Sequence, residues 1–419
     1  MEQGNNPLYH RLEGAAREER QEHKWEEVQK LLRLAAENSN EFKARLDKSG
    51  LGHKDIQSPE GFSRIPVLRK KDIIRLQEEN GLEWMLGLPM GKLRRIYQSP
   101  GPIFDPEGGE SDFWGWAEAF YACGFRPRDV VQITFSYHLT PAGLMLEEPL
   151  REIGCCCIPA GPGNTEKQIE LMTTLPVNGF VGMASYLKVI GEKAAASGRD
   201  LHRDFNLKTA FVAAERLTDA LRREVQDMFN IRVRQGYGTA DAGCIAYECP
   251  ELGGMHLSSR CWVEICDPET GQPLEDGETG EVVVTPFNPA YPLIRLGTGD
   301  LSAIETEMCA CGRTSRKLKG ILGRVDNTAK VKGQFVYPSQ AQAGLKDFPR
   351  IESWQLEINN PGGRDTLALY IKAKKEINKE EVAAALQKAI KLRPEIKILS
   401  DGEDLPQDAP QLVDKRKYD

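Results

Sequence analysis

Sulfur and imidazole give the first sign of chemistry in this chain. "ECPELGGMH" carries Cys249 and His256, and "CACG" carries Cys309 and Cys311. Two cysteines flanking one residue before a glycine form a tight knuckle. A Cys/His pair on a separate loop adds two ligands, and four such ligands complete a tetrahedral zinc shell. A closed Cys3His set leaves no open position for substrate, so the Zn²⁺ it implies is structural. The alternative is three unrelated thiols and a surface histidine. Cys244 is a fifth candidate, while Cys261 and Cys266 fall among strand residues and read as packing.

A second set has the character of nucleotide chemistry. "VRQGYGTADAG" follows an apolar strand, and its glycines permit a tight turn. Tyr237 can stack on a flat ring, and Asp241 can hold a hard cation such as Mg²⁺. "LIRLGTGDLSAIE" puts Asp300 at a strand, where a carboxylate can take both hydroxyls of a ribose. "GRVDNTAKVKG" then supplies Arg324, Asp326, Lys330 and Lys332, a cluster that would otherwise be a solvated linker.

Such residues need a scaffold, and 419 residues suffice for two to three domains. The formal net charge of −7 gives no basic field for nucleic acid or an anionic membrane. The polar N-terminus and the lack of an apolar run of ~20 residues predict a soluble, cytoplasmic protein with no membrane or nucleic-acid partner. Ten cysteines without a secretion signal point to reduced thiols or metal rather than a disulfide framework. Cys155, Cys156 and Cys157 are expected to be buried strand residues.

Helical periodicity predicts one amphipathic helix from Trp25 to Leu46 and another over 69–81. Between Asp129 and Phe229, apolar runs alternate with helical segments, the pattern of an α/β sheet with right-handed crossovers. Residues 261–285 read as two strands joined by a turn. After Gly323 the pattern becomes a small module of strands and two helices, with an order like β-α-β-β-α-β.

Taken together, "GYGTAD", "RLGTGD", "CACGRTS" and "GRVDNTAKVKGQFVYPSQ" resemble the phenylacetate-CoA ligase group of the adenylate-forming (AMP-binding) superfamily. The resemblance covers most of the chain. It implies an α/β protein with a large N-terminal AMP-binding domain, residues 1–325, built of α/β sheets plus a β-rich subdomain and carrying the zinc knuckle. A small mobile α+β C-terminal domain, 326–419, completes it. It further implies ATP, AMP, Mg²⁺ and coenzyme A as ligands and a carboxylic acid as substrate. In such enzymes the acid attacks the α-phosphate of ATP, giving acyl-AMP, and a thiol then displaces AMP. By this resemblance Ala213, Ala214 and Glu215 line the adenine pocket, and Tyr237, with Gly238 and Thr239, stacks on adenine. Asp241 is the Mg²⁺ and phosphate carboxylate, Asp300 binds ribose with Arg324 nearby, and Asp326 is the hinge. Phe135, Tyr137 and His138 border the acyl pocket. Relatives are often dimers, which makes a homodimer the assembly to test.

Three departures stand against this pattern. At 98–105 the phosphate-binding loop becomes "QSPGPIFD", with prolines that remove backbone donors and Asp105 adding negative charge. Ala240 replaces a hydroxyl that meets the α-phosphate. The terminal catalytic lysine falls at Asp408, Ala409 or Pro410, and Lys415 and Lys417 lie beyond it. Two readings result. One is an acid–CoA ligase for an aryl or other hydrophobic carboxylate, with Lys330 or Lys332 as substitute cation. The other is a retired scaffold that binds AMP or acyl-CoA, or performs only thiol transfer. On either reading the stiff loop gives ATP little affinity over AMP.

Overall fold

Alternation along the strands between Val130 and Thr239 decides which face each residue covers. Val131, Ile133, Val181 and Phe211 join Phe120, Phe125 and Leu150 in one core. Phe180, Ala210, Val212 and Val233 join Ile190, Val225 and Phe229 in another. Period-2 placement thus sends neighbouring residues to opposite faces. Helices Ala117–Cys123 and Ala142–Ile153 supply one layer, and Thr165–Thr174, Ala184–Ala196 and Asp219–Phe229 supply the other. Burying each Val, Leu or Phe is worth about 1.5–3 kcal/mol.

The computed structural model describes residues 7–99, 102–325, 329–331, 334–336, 338–359, 361, 365–374, 377–400, 403, 405 and 410–416. Strands Cys156–Pro159, Val130–Ile133, Gly179–Gly182, Thr209–Val212 and Arg232–Thr239 run parallel in that spatial order. The last continues antiparallel to Gly243–Tyr247, and the sheet extends through Met255–Leu257, Lys317–Leu318 and Ile304–Glu305. A second sheet orders Leu68–Arg69, Leu296–Ser302, Gly280–Pro286 and Cys261–Cys266, the last two paired as the sequence predicts.

Two expectations need correction here. The single helix expected over Trp25–Leu46 is two, Arg17–Asn38 and Asn40–Ser49, because the Ser39 side chain accepts from Phe42 N and caps the second. Among the three consecutive cysteines Cys155 is buried and Cys157 half-buried, but Cys156 is exposed, since its strand is the edge of the sheet.

The chain divides into two compact units. One holds residues up to Thr298 with Ala303–Gly320; the other holds Gly299–Ser302 with residues from Ile321 onward. In the second unit a sheet orders Glu395–Ile398, Thr366–Ala373, Ile351–Asn359 and Leu412–Asp414. Helices Pro338–Leu345 and Lys379–Ile390 accompany it. The expected first strand, Gln334–Val336, instead forms a hairpin with Ala329–Val331, and Leu412–Asp414 takes the edge beside Ile351–Asn359. No helix among the described residues is long and apolar enough to cross a membrane.

Candidate active site and metal knuckle

Parallel strands all end on the same edge of a sheet, where an α/β fold leaves its ligand crevice. Three segments singled out from sequence follow those ends: Phe135–His138 after Val130–Ile133, Ala213–Glu215 after Thr209–Val212, and Tyr237–Asp241 at and beyond the end of the last parallel pairing. Phe135 and Tyr137 pack against the core, and His138 is exposed. The Tyr137 ring lies against Gly143, where an added Cβ would come within 2.8 Å. Ala214 has φ +68°, a left-handed backbone that disfavours a side chain by about 1–2 kcal/mol. The Glu215 carboxylate accepts from both the backbone N–H and the hydroxyl of Ser185, each at 2.7 Å, at the start of helix Ala184–Ala196. Gln235 Nε2 donates to the Glu215 carbonyl, so the two loops are joined.

Tyr237 is nearly buried on its strand, opposite Ala246. Gly238 is required beneath it. A Cβ there would stand 2.1 Å from the Gly243 carbonyl and 2.6 Å from the Trp116 ring. Trp114 Nε1 donates to the Ala240 carbonyl, and the Thr239 hydroxyl accepts from Ala242 N–H. The turn that presents Asp241 is therefore fixed from below by tryptophan and from within by Thr239.

Asp241 is 3% exposed, and Lys70 Nζ lies 2.8 Å from its Oδ2. Lys70 opens the helix Lys70–Asn80, which the sequence predicts but to which it assigns no function. The stretch expected as a stiff phosphate loop is a β-hairpin, with Arg95–Ser99 paired to Ile103–Glu107; Pro100 and Gly101 lie outside the described residues. Asp105 on its second strand is 1% exposed. Burial, and next the charge of Asp241, push its carboxyl up to about 7, against a lowering by the adjacent Ser99. Ser99 stands beside it without hydrogen-bond geometry to either oxygen. These buried, uncompensated carboxylate oxygens suit a hard divalent cation such as Mg²⁺. Lys70 was missed from sequence; a lysine starting a helix gives no signal until the helix is docked.

In the second unit Arg324 Nη1 donates to Asp300 Oδ1 at 2.8 Å across the pairing of their strands. Lys330 lies on strand Ala329–Val331, while Asp326 and Lys332 fall outside the described residues. Asp408, Ala409 and Lys417 fall outside them too, and Pro410 is exposed. Lys415 is committed elsewhere, with Nζ 2.5 Å from Glu357 Oε2.

The sequence-distant ligands of the knuckle converge. Cys249, His256, Cys309 and Cys311 place their donor atoms within 4.8 Å of one another. Cys249 and Cys309 sulfurs are 3.6 Å apart, and Cys311 Sγ is 3.4 Å from His256 Nε2. A tetrahedral ion with Zn–S bonds of about 2.3 Å has S–S edges of about 3.7 Å, so the donor set fits zinc. The Ser315 hydroxyl meets His256 Nδ1 at 3.0 Å, which leaves Nε2 for metal. A hydrogen bond from Cys249, and then His256, hold the Cys311 thiol well below the usual range, whereas the same contact pushes Cys249 up. Cys244 is buried apart, with burial raising its pKa.

The two-layered α/β unit, the loops at its strand ends and the separate α+β unit define an adenylate-forming fold. Residues 117–287 match the AMP-binding enzyme family. The phenylacetate-coenzyme A ligase of Thermus thermophilus is 28% identical over 88% of this chain and 85% of that protein. The Escherichia coli K12 phenylacetate-coenzyme A ligase is likewise 28% identical, over 87% of this chain and 84% of its own length. An open conformation of 2-hydroxyisobutyryl-CoA ligase, solved with 2-HIB-AMP and CoA, superposes with a TM-score of 0.90 at 20% identity, covering 98% of this chain and 95% of that one. That likeness establishes the fold. In sequence the chain is thus similar to phenylacetate-coenzyme A ligases over most of its length, and its segment 117–287 matches the AMP-binding enzyme family.

Proposed function

We propose that this protein is an acid–CoA ligase that activates an aryl or other hydrophobic carboxylate as its acyl-AMP. The observation that carries this reading is the shared strand-end edge holding Phe135–His138, Ala213–Glu215 and Tyr237–Asp241. Tyr237 stacks on adenine, in the loop that Ala213, Ala214 and Glu215 border. Asp300 takes the ribose hydroxyls with Arg324 beside it, and the acid lies near Phe135 and Tyr137. A carboxylate oxygen attacks the α-phosphorus as the bond to pyrophosphate breaks. The sulfur of coenzyme A then attacks the acyl carbon, and AMP leaves with the C–O electron pair. Asp241 would hold Mg²⁺, which would supply positive charge against the phosphates. Lys70 is the cation at this end of the site, in place of the absent terminal lysine. The domain boundary and hinge lie near Asp326, and Zn²⁺ on the knuckle is structural.

Pyrophosphate exchange over a panel of aromatic and aliphatic acids tests the reading; exchange with none of them would overturn it. A second reading, a retired scaffold that binds AMP or acyl-CoA, draws on the proline-bearing hairpin and on Lys415 held by Glu357. Tight AMP binding in calorimetry without ATP turnover would favour it.

A further inference from the structure

Asp105 and Asp241, on different elements, are both buried and near enough for Asp105 to feel the charge of Asp241. The hydroxyl of Tyr291, itself 1% exposed, feels the charge of both. Apart from the Lys70 ammonium beside Asp241 Oδ2, no hydrogen-bond partner meets the four carboxylate oxygens among the described residues. The ammonium of Lys70, 2.8 Å from Asp241 on a side chain 38% exposed, is the counter-ion of that carboxylate and keeps access to solvent. Its helix is locked to the hairpin: Phe104 N–H donates to Gln77 Oε1 at 2.8 Å, and Gln77 Nε2 donates back to the Phe104 carbonyl at 3.0 Å. Lys70 and Asp105 are thus presented by one rigid piece, with Asp241 facing them.

Two buried carboxylates against one ammonium leave negative charge uncompensated, which is costly in an interior. Hard oxygen ligands in this number suit a divalent cation that completes its shell with water and phosphate. We propose that Asp105 and Asp241 together hold the divalent metal of the metal–nucleotide complex, and that Lys70 is the counter-ion this metal displaces. On entry the metal takes the carboxylates, and the freed ammonium turns to the phosphates. Asp105, which alone would repel a polyphosphate, then attracts it through the metal. This extends the ligase reading, from which it takes the role of Asp241, by a second ligand on the hairpin.

Mn²⁺ serves as the probe, titrated into nucleotide-free protein that retains its zinc and followed by the electron paramagnetic resonance of free Mn²⁺. About one equivalent should bind, and Asp105→Asn and Asp241→Asn should each weaken it at least tenfold. Lys70→Met should bind Mn²⁺ more tightly than the native chain, because the competing ammonium is gone. Equal affinity in Asp105→Asn and native protein would overturn the proposal, as would unchanged affinity or no binding in Lys70→Met. AMP binding, which needs no metal, reports whether each variant is folded. If Asp105→Asn does not fold, the Lys70→Met comparison decides alone. No Mn²⁺ result depends on turnover, so failed pyrophosphate exchange would sink the ligase reading and leave this one standing.

Discussion

At the cysteine knuckle, ligand atoms already stand at the spacing of a coordination shell, 3.6 Å between Cys249 and Cys309 and 3.4 Å between Cys311 and His256. At the carboxylates, Asp105 and Asp241 repel each other, and one lysine, ion-paired to Asp241 and felt by Asp105, serves both. Local chain geometry builds the first: a Cys-x-Cys turn and a strand-borne histidine, with Ser315 fixing the ring. Docking a helix, a hairpin and a turn builds the second. A permanent metal can be enclosed by its ligands, whereas a cation that arrives with substrate needs a site left out of balance until it comes.

Breaking the knuckle should have the largest effect. Cys311→Ser should lower bound zinc from about one equivalent to near none by elemental analysis, with a stability loss of roughly 5 kcal/mol or more. Full zinc retention would end the comparison. At the carboxylate end, Lys70→Met should cut pyrophosphate exchange by about 10²–10³, the scale of one lost electrostatic donor. Exchange at the native rate would show that the cation lies elsewhere.

Asp300→Ala should weaken AMP binding by about 1.5–3 kcal/mol in calorimetry, the worth of hydrogen bonds to a charged group; an unchanged constant would remove its ribose role. Asp105 sharpens the contrast through pH. Its folded-state value of about 7 lies above the unfolded value near 3.9. The native state therefore binds the proton more tightly, and its contribution is fullest at low pH and lost as pH rises from about 4 to about 7. In metal-free buffer Asp105→Asn should become more stable than native over that range, by on the order of 2 kcal/mol at pH 8. Parallel unfolding curves at all pH values would count against a strained carboxylate. The smallest effect concerns the hairpin. Without divalent metal, ATP and AMP should bind within about tenfold of each other, ~1.4 kcal/mol, because the Gln98 and Phe104 N–H groups are taken by Leu139 and Gln77, and Pro102 and Pro106 have none. A larger ATP preference would mean that the hairpin grips phosphate directly.

Much of this was legible in sequence, for a physical reason. Period-2 and period-3.6 patterns are local, so the strands from Val130 to Thr239 and their helices could be read directly. The convergence of Cys249, His256, Cys309 and Cys311 was legible because cysteine and histidine are rare residue types and stand here at short spacings. Lys70 was not: its meaning arises only when Gln77 clamps its helix to the Phe104 backbone. The break at Ser39 was hidden because apolar period continues across it while a side-chain cap restarts the helix. Arg295 was equally silent. It sits fully buried in "LIRLGTGD" on the Glu264 carboxylate, anchoring the strand that carries Asp300.

The early chain is held by late residues. Arg313 donates to Glu13 across 300 positions and to the Pro7 carbonyl, and Thr314 N–H donates to the Glu13 carbonyl. A ribosome adding about 5–20 residues per second needs roughly 15–60 s to span that separation. For that interval Glu13, a carboxylate 1% exposed in the finished protein, has no guanidinium to receive it. The segment's earlier partners, Glu118 and Ser259 at the His10 ring and Tyr247 at the Glu13 carboxylate, can be in place before then. The charge of Glu13 is met last, by a residue two positions beyond Cys311, so the same short stretch that completes the Cys/His cluster also neutralises the buried carboxylate.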